Sequence, residues 1–250
     1  MEIDLFFLVV ASVGVLIAAI SKTGFGGGAS FVATPILALV IDPAMALGIM
    51  LPLLMLMDVT GLKAYWGKWS NRDTWRLCVG ALPGIVIAAL VYRLTDPDVF
   101  RFLIGAISVG FVFFQLAVRA GWITARDAPL GKGAGLLAGV GAGFTSFVAH
   151  AGGPAAVVYL LSQGLSKLVF QATTVIVFSV VNATKAVIYA GLGFFTPDAL
   201  KIALILAPVA FLGAVLGVRA NKIVPERVFF GLTYVLLAVV GTKLIWESLT

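Results

Sequence analysis

The chain is a succession of apolar runs separated by only a few polar or turn-forming residues, and this spacing limits its fold more than any other feature. Ten runs are bounded in this way: 3–20, 29–41, 43–66, 75–92 and 98–118, then 131–148, 154–163, 167–190, 198–218 and 225–246. A helix needs about 20 predominantly apolar residues to cross a hydrocarbon core of ~30 Å, rising ~1.5 Å per residue. Eight runs approach that length, while 29–41 and 154–163 fall short. Inside a bilayer the backbone must satisfy its own hydrogen bonds, so the expected fold is an all-α polytopic membrane protein. With 61% apolar and only 11% charged residues, nothing is left over for a soluble domain.

The net charge of +6 does not point to nucleic acid, because lysine and arginine stand singly between the apolar runs and form no basic stripe. They serve orientation instead. With the N-terminus outside and each run or hairpin reversing direction, the inner side collects Lys22, Lys63, Lys68, Arg72, Arg76, Arg119, Arg126, Lys132, Lys167, Arg219, Lys222 and Arg227. That is twelve of the seventeen cations. The outer side receives Arg93, Arg101, Lys201 and Lys243, with Lys185 inside a run. Positive loops stay inside, so both termini are expected on the periplasmic face. Glu2 and Asp4 stand where a signal peptide would be basic, which makes the first run a retained helix. One cysteine, Cys78, and one histidine, His150, exclude an internal disulfide and leave no ligand set for a metal or redox cofactor. No nucleotide-binding glycine loop ends in Lys-Ser or Lys-Thr, so ATP hydrolysis is not expected.

The two halves, about 1–120 and 130–250, resemble each other. Asp58-Val59-Thr60 precedes Asn182-Ala183-Thr184 by 124 residues. At the same offset Tyr65 matches Tyr189 and Gly67 matches Gly191, and Pro83 matches Pro208 with a slip of one. Pro97-Asp98-Val99-Phe100 is echoed by Pro225-Glu226-Arg227-Val228-Phe229. About five runs per half is an odd number, which predicts two inverted repeats within a single membrane domain.

Both short runs follow glycine-rich breaks, Gly24-Phe25-Gly26-Gly27-Gly28 and His150-Ala151-Gly152-Gly153-Pro154. Broken or re-entrant helices are expected there. A helix that begins mid-membrane exposes N–H groups without partners, and two such ends favour an anion. Pro154 suits a first helical turn. The alternative is that glycine only permits close helix packing.

These residues resemble the sulfite exporter TauE/SafE family. The likeness rests on Gly24 to Gly28 leading into Ala33-Thr34-Pro35, on Gly152-Gly153-Pro154, and on the paired halves. It extends from about residue 5 to 247. It implies a bacterial inner-membrane permease for a small anion: sulfite, a sulfonate such as sulfoacetate, or a related organic acid, with export as the direction. His150-Ala151 stands where the family pattern is richer in glycine.

Polar groups within the runs are the remaining candidates. Asp58 lies near the middle of 43–66, paired by the repeat with Asn182. Lys185, one turn after Asn182, is expected on the same face. On one reading Lys185 attracts the anion while Asp58 carries a coupling proton; on the other Asp58 is neutralised by Lys63 or Lys185. His150 is a proton carrier, a hydrogen-bond donor or a helix cap. Thr23, Thr145 and Ser146 offer hydroxyls, although such groups often bond their own backbone. Lys22 belongs to the anion site if the first hairpin stops mid-bilayer. The expected substrate-binding set is therefore Lys22, Thr23, Gly24, Gly26, Gly27, Gly28, Ser146, His150, Gly152, Gly153, Asn182 and Lys185, with Asp58 as coupling or charge-pair residue. Trp66, Trp69 and Trp75 read as an interfacial belt, and Tyr65 and Tyr189 as packing or gating residues.

The leading function is a secondary transporter for a small sulfur-containing anion, working by alternating access. An anion channel or a carrier for a small carboxylate is the alternative. An intramembrane hydrolase built on Ser146 and His150 lacks a third orienting group and an oxyanion site, so no enzyme is expected.

Overall fold

The computed structural model describes residues 4–24, 30–122, 129–223 and 226–250, and all regular structure among them is helical. Ten helices correspond to the ten runs: α1 (Leu5–Gly24), α2 (Ala33–Ala38), α3 (Pro43–Tyr65), α4 (Asn71–Leu94) and α5 (Pro97–Arg119), then α6 (Lys132–Ala149), α7 (Gly153–Ser162), α8 (Lys167–Gly191), α9 (Pro197–Ile223) and α10 (Glu226–Leu249). Seven of them are long and apolar enough to cross a membrane: α1, α3, α4, α5, α8, α9 and α10. The six-residue α2 and ten-residue α7 are too short.

Local chemistry sets the helix boundaries. Asp42 caps α3 by accepting from the N–H groups of Ala44 and Met45, with Pro43 in the first turn. Ser70 caps α4 through Asp73 N–H, and Ser166 caps α8 through Val169 N–H. After α6 the chain turns at His150, the only residue other than glycine with positive φ (56°) among those described. Its N–H donates to Ser146 O, and Ala151 N–H donates to Thr145 O, so the last carbonyls of α6 are satisfied as the helix stops.

Small residues set the packing. On α4, a Cβ at Gly80 would collide with the carbonyl of Leu136, and one at Gly84 with that of Val140. From α6, a Cβ at Gly143 would strike Ala81 O. Gly80, Gly84, Gly139 and Gly143 thus form one seam of two four-residue spacings, the small-residue pattern that lets membrane helices approach backbone to backbone. The contacts advance together along both helices, so α4 and α6 run parallel.

Several helix contacts of the first half have counterparts in the second. α1 packs on α9 as α6 packs on α4, α3 packs on α9 as α8 packs on α4, and α2 follows α1 as α7 follows α6. Two pairs are their own counterparts, α3 with α8 and α5 with α10. Both run antiparallel. Gly48, Asp58 and Gly61 of α3 meet, in that order, Phe194, Asn182 and Val175. Gly105 meets Gly241 while Phe111 meets Tyr234.

Candidate functional site

In the second half of α3 a buried carboxylate lacks water and must find partners within the protein. Asp58 finds two. Its Oδ1 lies 2.6 Å from Lys22 Nζ, brought in by the end of α1, and its Oδ2 accepts from Asn182 Nδ2 at 2.6 Å. Lys22 Nζ also donates to Leu54 O at 3.2 Å. The expected partners Lys63 and Lys185 are not the ones used: Lys63 lies in the exposed last turn of α3, and Lys185 turns away into the protein. Asp58 and Asn182, 124 residues apart, touch each other directly.

Lys185 is fully buried. Its ammonium donates to Ser146 O at 2.9 Å and to His150 Nδ1 at 2.8 Å. With Nδ1 accepting, the ring proton sits on Nε2, which faces Leu47 O of α3 at 3.4 Å. A cation at the C-terminal end of α6 also answers the negative end of the helix. His150 therefore ties the α6–α7 break to both α3 and α8.

Beside these groups lies a cavity of about 70 Å³ lined by Lys22, Asp58, Ser146, His150, Gly153 and Asn182. Ser30, Phe31, Leu54, Val157, Gln171, Thr174, Val175 and Phe178 complete the wall. Its α8 residues run from Gln171 to Asn182, most of them in the half of α8 nearest Lys167, and Asp58 lies toward the Lys63 end of α3. Lys185 stands behind His150 and does not line it. Gly153 opens α7 with no side chain capping that helix, and a Cβ there meets nothing within 4 Å. Gly152 is crowded, its Cβ position being 2.6 Å from Ala142 O.

Not every expected ligand reaches the cavity. Thr23 Oγ1 lies 2.9 Å from both Ala19 O and Ala214 O, so its proton goes to a carbonyl. Thr145 Oγ1 donates to Gly141 O at 2.8 Å. Gly24 is the last residue of α1. Gly26, Gly27 and Gly28 lie outside the described residues.

The opposite end of the bundle is packed with aromatic rings. Tyr189 sits 4.5 Å from Phe194 and 4.9 Å from Phe147 between ring centroids, and Tyr92 joins Phe194 at 4.6 Å and Phe100 at 5.1 Å. Tyr189 is fully buried and donates to Phe147 O at 2.6 Å, whereas its repeat counterpart Tyr65 is partly exposed. Trp66 and Trp75 are exposed at the connection between α3 and α4.

A second polar cluster escaped the sequence reading. Asp73, fully buried at the start of α4, accepts from Ser70 Oγ at 2.6 Å, Tyr159 Oη at 2.8 Å and Arg72 Nε at 3.3 Å. Arg76 donates to the same Tyr159 hydroxyl at 2.9 Å, and Arg72 reaches Gln163 Oε1 at 3.1 Å. The cluster clamps α4 to α7. The Ser70-x-x-Asp73 capping spacing was its one visible signal.

The sequence profile named "Sulfite exporter TauE/SafE" matches residues 10–244, nearly the whole chain. The chain belongs to the sulfite exporter TauE/SafE family. No curated protein and no solved structure matches it. For a TauE/SafE protein the geometry is apt: this is a family of membrane transporters for sulfite and related anions, and the cavity gathers an ammonium, an amide and a helix start.

Proposed function

We propose that the protein is a secondary transporter of a small sulfur-containing anion, sulfite or an organosulfonate such as sulfoacetate, in the bacterial inner membrane with both termini periplasmic. Export is its direction when the anion's outward gradient exceeds any opposing proton gradient, and Asp58 carries a coupling proton. The observation that carries this reading is the cavity: Lys22, Asn182, Ser146, His150 and the uncapped start of α7 converge on a space suited to a small anion. An ammonium, neutral donors and a helix N-terminus all favour negative charge.

Alternating access is supported by the unequal treatment of equivalent ends. The cavity reaches toward the lysine-rich side, while Tyr189 and its aromatic neighbours seal the other. The antiparallel self-pairing of α3 with α8 and of α5 with α10 supports inverted repeats about an axis lying across the helices. Asp58 and Asn182 then meet at that axis. A sealed end also favours a transporter over a channel, which needs a continuous path.

Thermal stability of the purified protein in sulfite, sulfate, sulfoacetate, isethionate, taurine, acetate or chloride tests the substrate class, because a bound ligand raises apparent stability by mass action. A selective rise with sulfite or a sulfonate, lost in Gly153→Leu, is expected. A rise with acetate alone refutes the sulfur anion and favours a carboxylate carrier.

A further inference from the structure

Lys22 is the one ammonium among the described residues that lines the cavity, and a carboxylate already occupies it. We propose that Asp58 is a tethered competitor for the substrate: it holds Lys22 in the empty site and must release Lys22 and take up a proton for the anion to bind. This rests on the reading of the cavity as the anion site and states how occupancy and protonation are tied together there.

Asp58 divides its two oxygens between one charged and one neutral partner. Oδ1 belongs to Lys22 and Oδ2 to the Asn182 amide. An anion that takes the ammonium deprives Oδ1 of its cation and brings a second negative charge close by, in surroundings poor in water. The other charged or titratable groups facing Asp58 do not substitute for Lys22. Lys185 of α8 is spent on Ser146 O and His150 Nδ1, and the His150 ring is engaged by Lys185 and Leu47. Among the described residues α2 carries no charge, and neither α5 nor α9 contributes one to the cavity wall.

Protonation restores the balance. The empty site holds one ammonium and one carboxylate, with no net charge. The loaded site holds the ammonium, a monoanion and a neutral carboxylic acid, again with no net charge. The proton goes to Oδ1, the oxygen that Lys22 leaves, while Oδ2 stays on Asn182 Nδ2. Because Asn182 stands where the first repeat has an aspartate, the pair at the axis takes up one proton and not two. Anion and proton then move together, so net direction follows the product of their gradients.

Isethionate is the probe, a sulfonate that keeps its charge from about pH 5.5 to 8, above the ordinary carboxylate range. Its dissociation constant from the purified wild-type protein is expected to rise about tenfold for each pH unit where binding brings one proton with it. A dye in weak buffer should register about one proton taken up per isethionate bound. Asp58→Asn should bind with no such slope and no proton uptake. Wild-type binding without proton uptake overturns the proposal and leaves the anion site standing, as does a slope that persists in Asp58→Asn. If that variant does not fold, the wild-type proton count decides. Failure of both isethionate and sulfite to bind at any pH refutes the anion site, and the competitor role falls with it.

Discussion

Replacing Lys22 by methionine preserves the bulk of the side chain and removes only the charge that Asp58 relies on. At 2.6 Å, with an effective dielectric of about 20, the pair's gross attraction is of order 6 kcal/mol. Most of this is cancelled by the cost of taking both charges out of water, so the net worth of the pair is small. What a single substitution exposes is the orphaned partner. Asp58 is 4% exposed and would keep only the Asn182 amide, so Lys22→Met should destabilise the protein by about 3 kcal/mol. The double variant Lys22→Met/Asp58→Asn leaves no buried charge. It should recover most of that loss, to within about 1 kcal/mol of the parent, with two neutral amides facing each other across α3 and α8. Asp58→Asn alone should cost less than Lys22→Met, because Lys22 is partly exposed and keeps Leu54 O. The assay is denaturant-induced or thermal unfolding in detergent, followed by tryptophan fluorescence at about pH 8, and the double-mutant cycle supplies the coupling. Lowering the pH should restore Lys22→Met and leave the double variant unchanged, since a proton on Asp58 removes the lone charge. Equal destabilisation in Lys22→Met and the double variant would refute the reasoning, because it would mean that the carboxylate never needed the ammonium.

Gly84→Val should destabilise by at least about 2 kcal/mol, because the new side chain strikes Val140 O on α6, whereas Gly110→Ala on α5, with open space around it, should be neutral or stabilising; unfolding midpoints compare the two. Tyr159→Phe removes one of the hydrogen bonds to buried Asp73 and the acceptor for Arg76, and should cost about 1–3 kcal/mol in the same assay without altering isethionate affinity. In a Cys78→Ser background, Tyr65→Cys should react with a membrane-impermeant maleimide from the lysine-rich side, and Tyr189→Cys should react only while substrate is being transported. Rapid labelling of Tyr189→Cys at rest would refute the sealed end.

Much of the architecture was legible in the residues alone. The ten helices, Pro154 in the first turn of α7 and the break at His150 came from local pattern. Hydrophobic runs and caps are properties of neighbouring residues, so they survive in one dimension. The partner of Asp58 was not legible, because Lys22, Lys63 and Lys185 are all within sequence reach of a plausible pairing, and only the packing of α1 beside α3 selects the first.

The same holds for the withdrawal of Lys185 behind His150 and for the clamp around Asp73. Helical spacing places Lys185 on the Asn182 face, but its long stem lets the ammonium reach the end of α6, where a carbonyl and a ring nitrogen await it. Asp73 looked like an ordinary first-turn acid until α7 brought Tyr159 against it. What the sequence by itself determined is an all-helical chain whose long apolar runs suit a bilayer. What the tertiary structure decided is which charges meet there. A buried charge takes its partner from whatever the packing of neighbouring helices brings within about 3 Å.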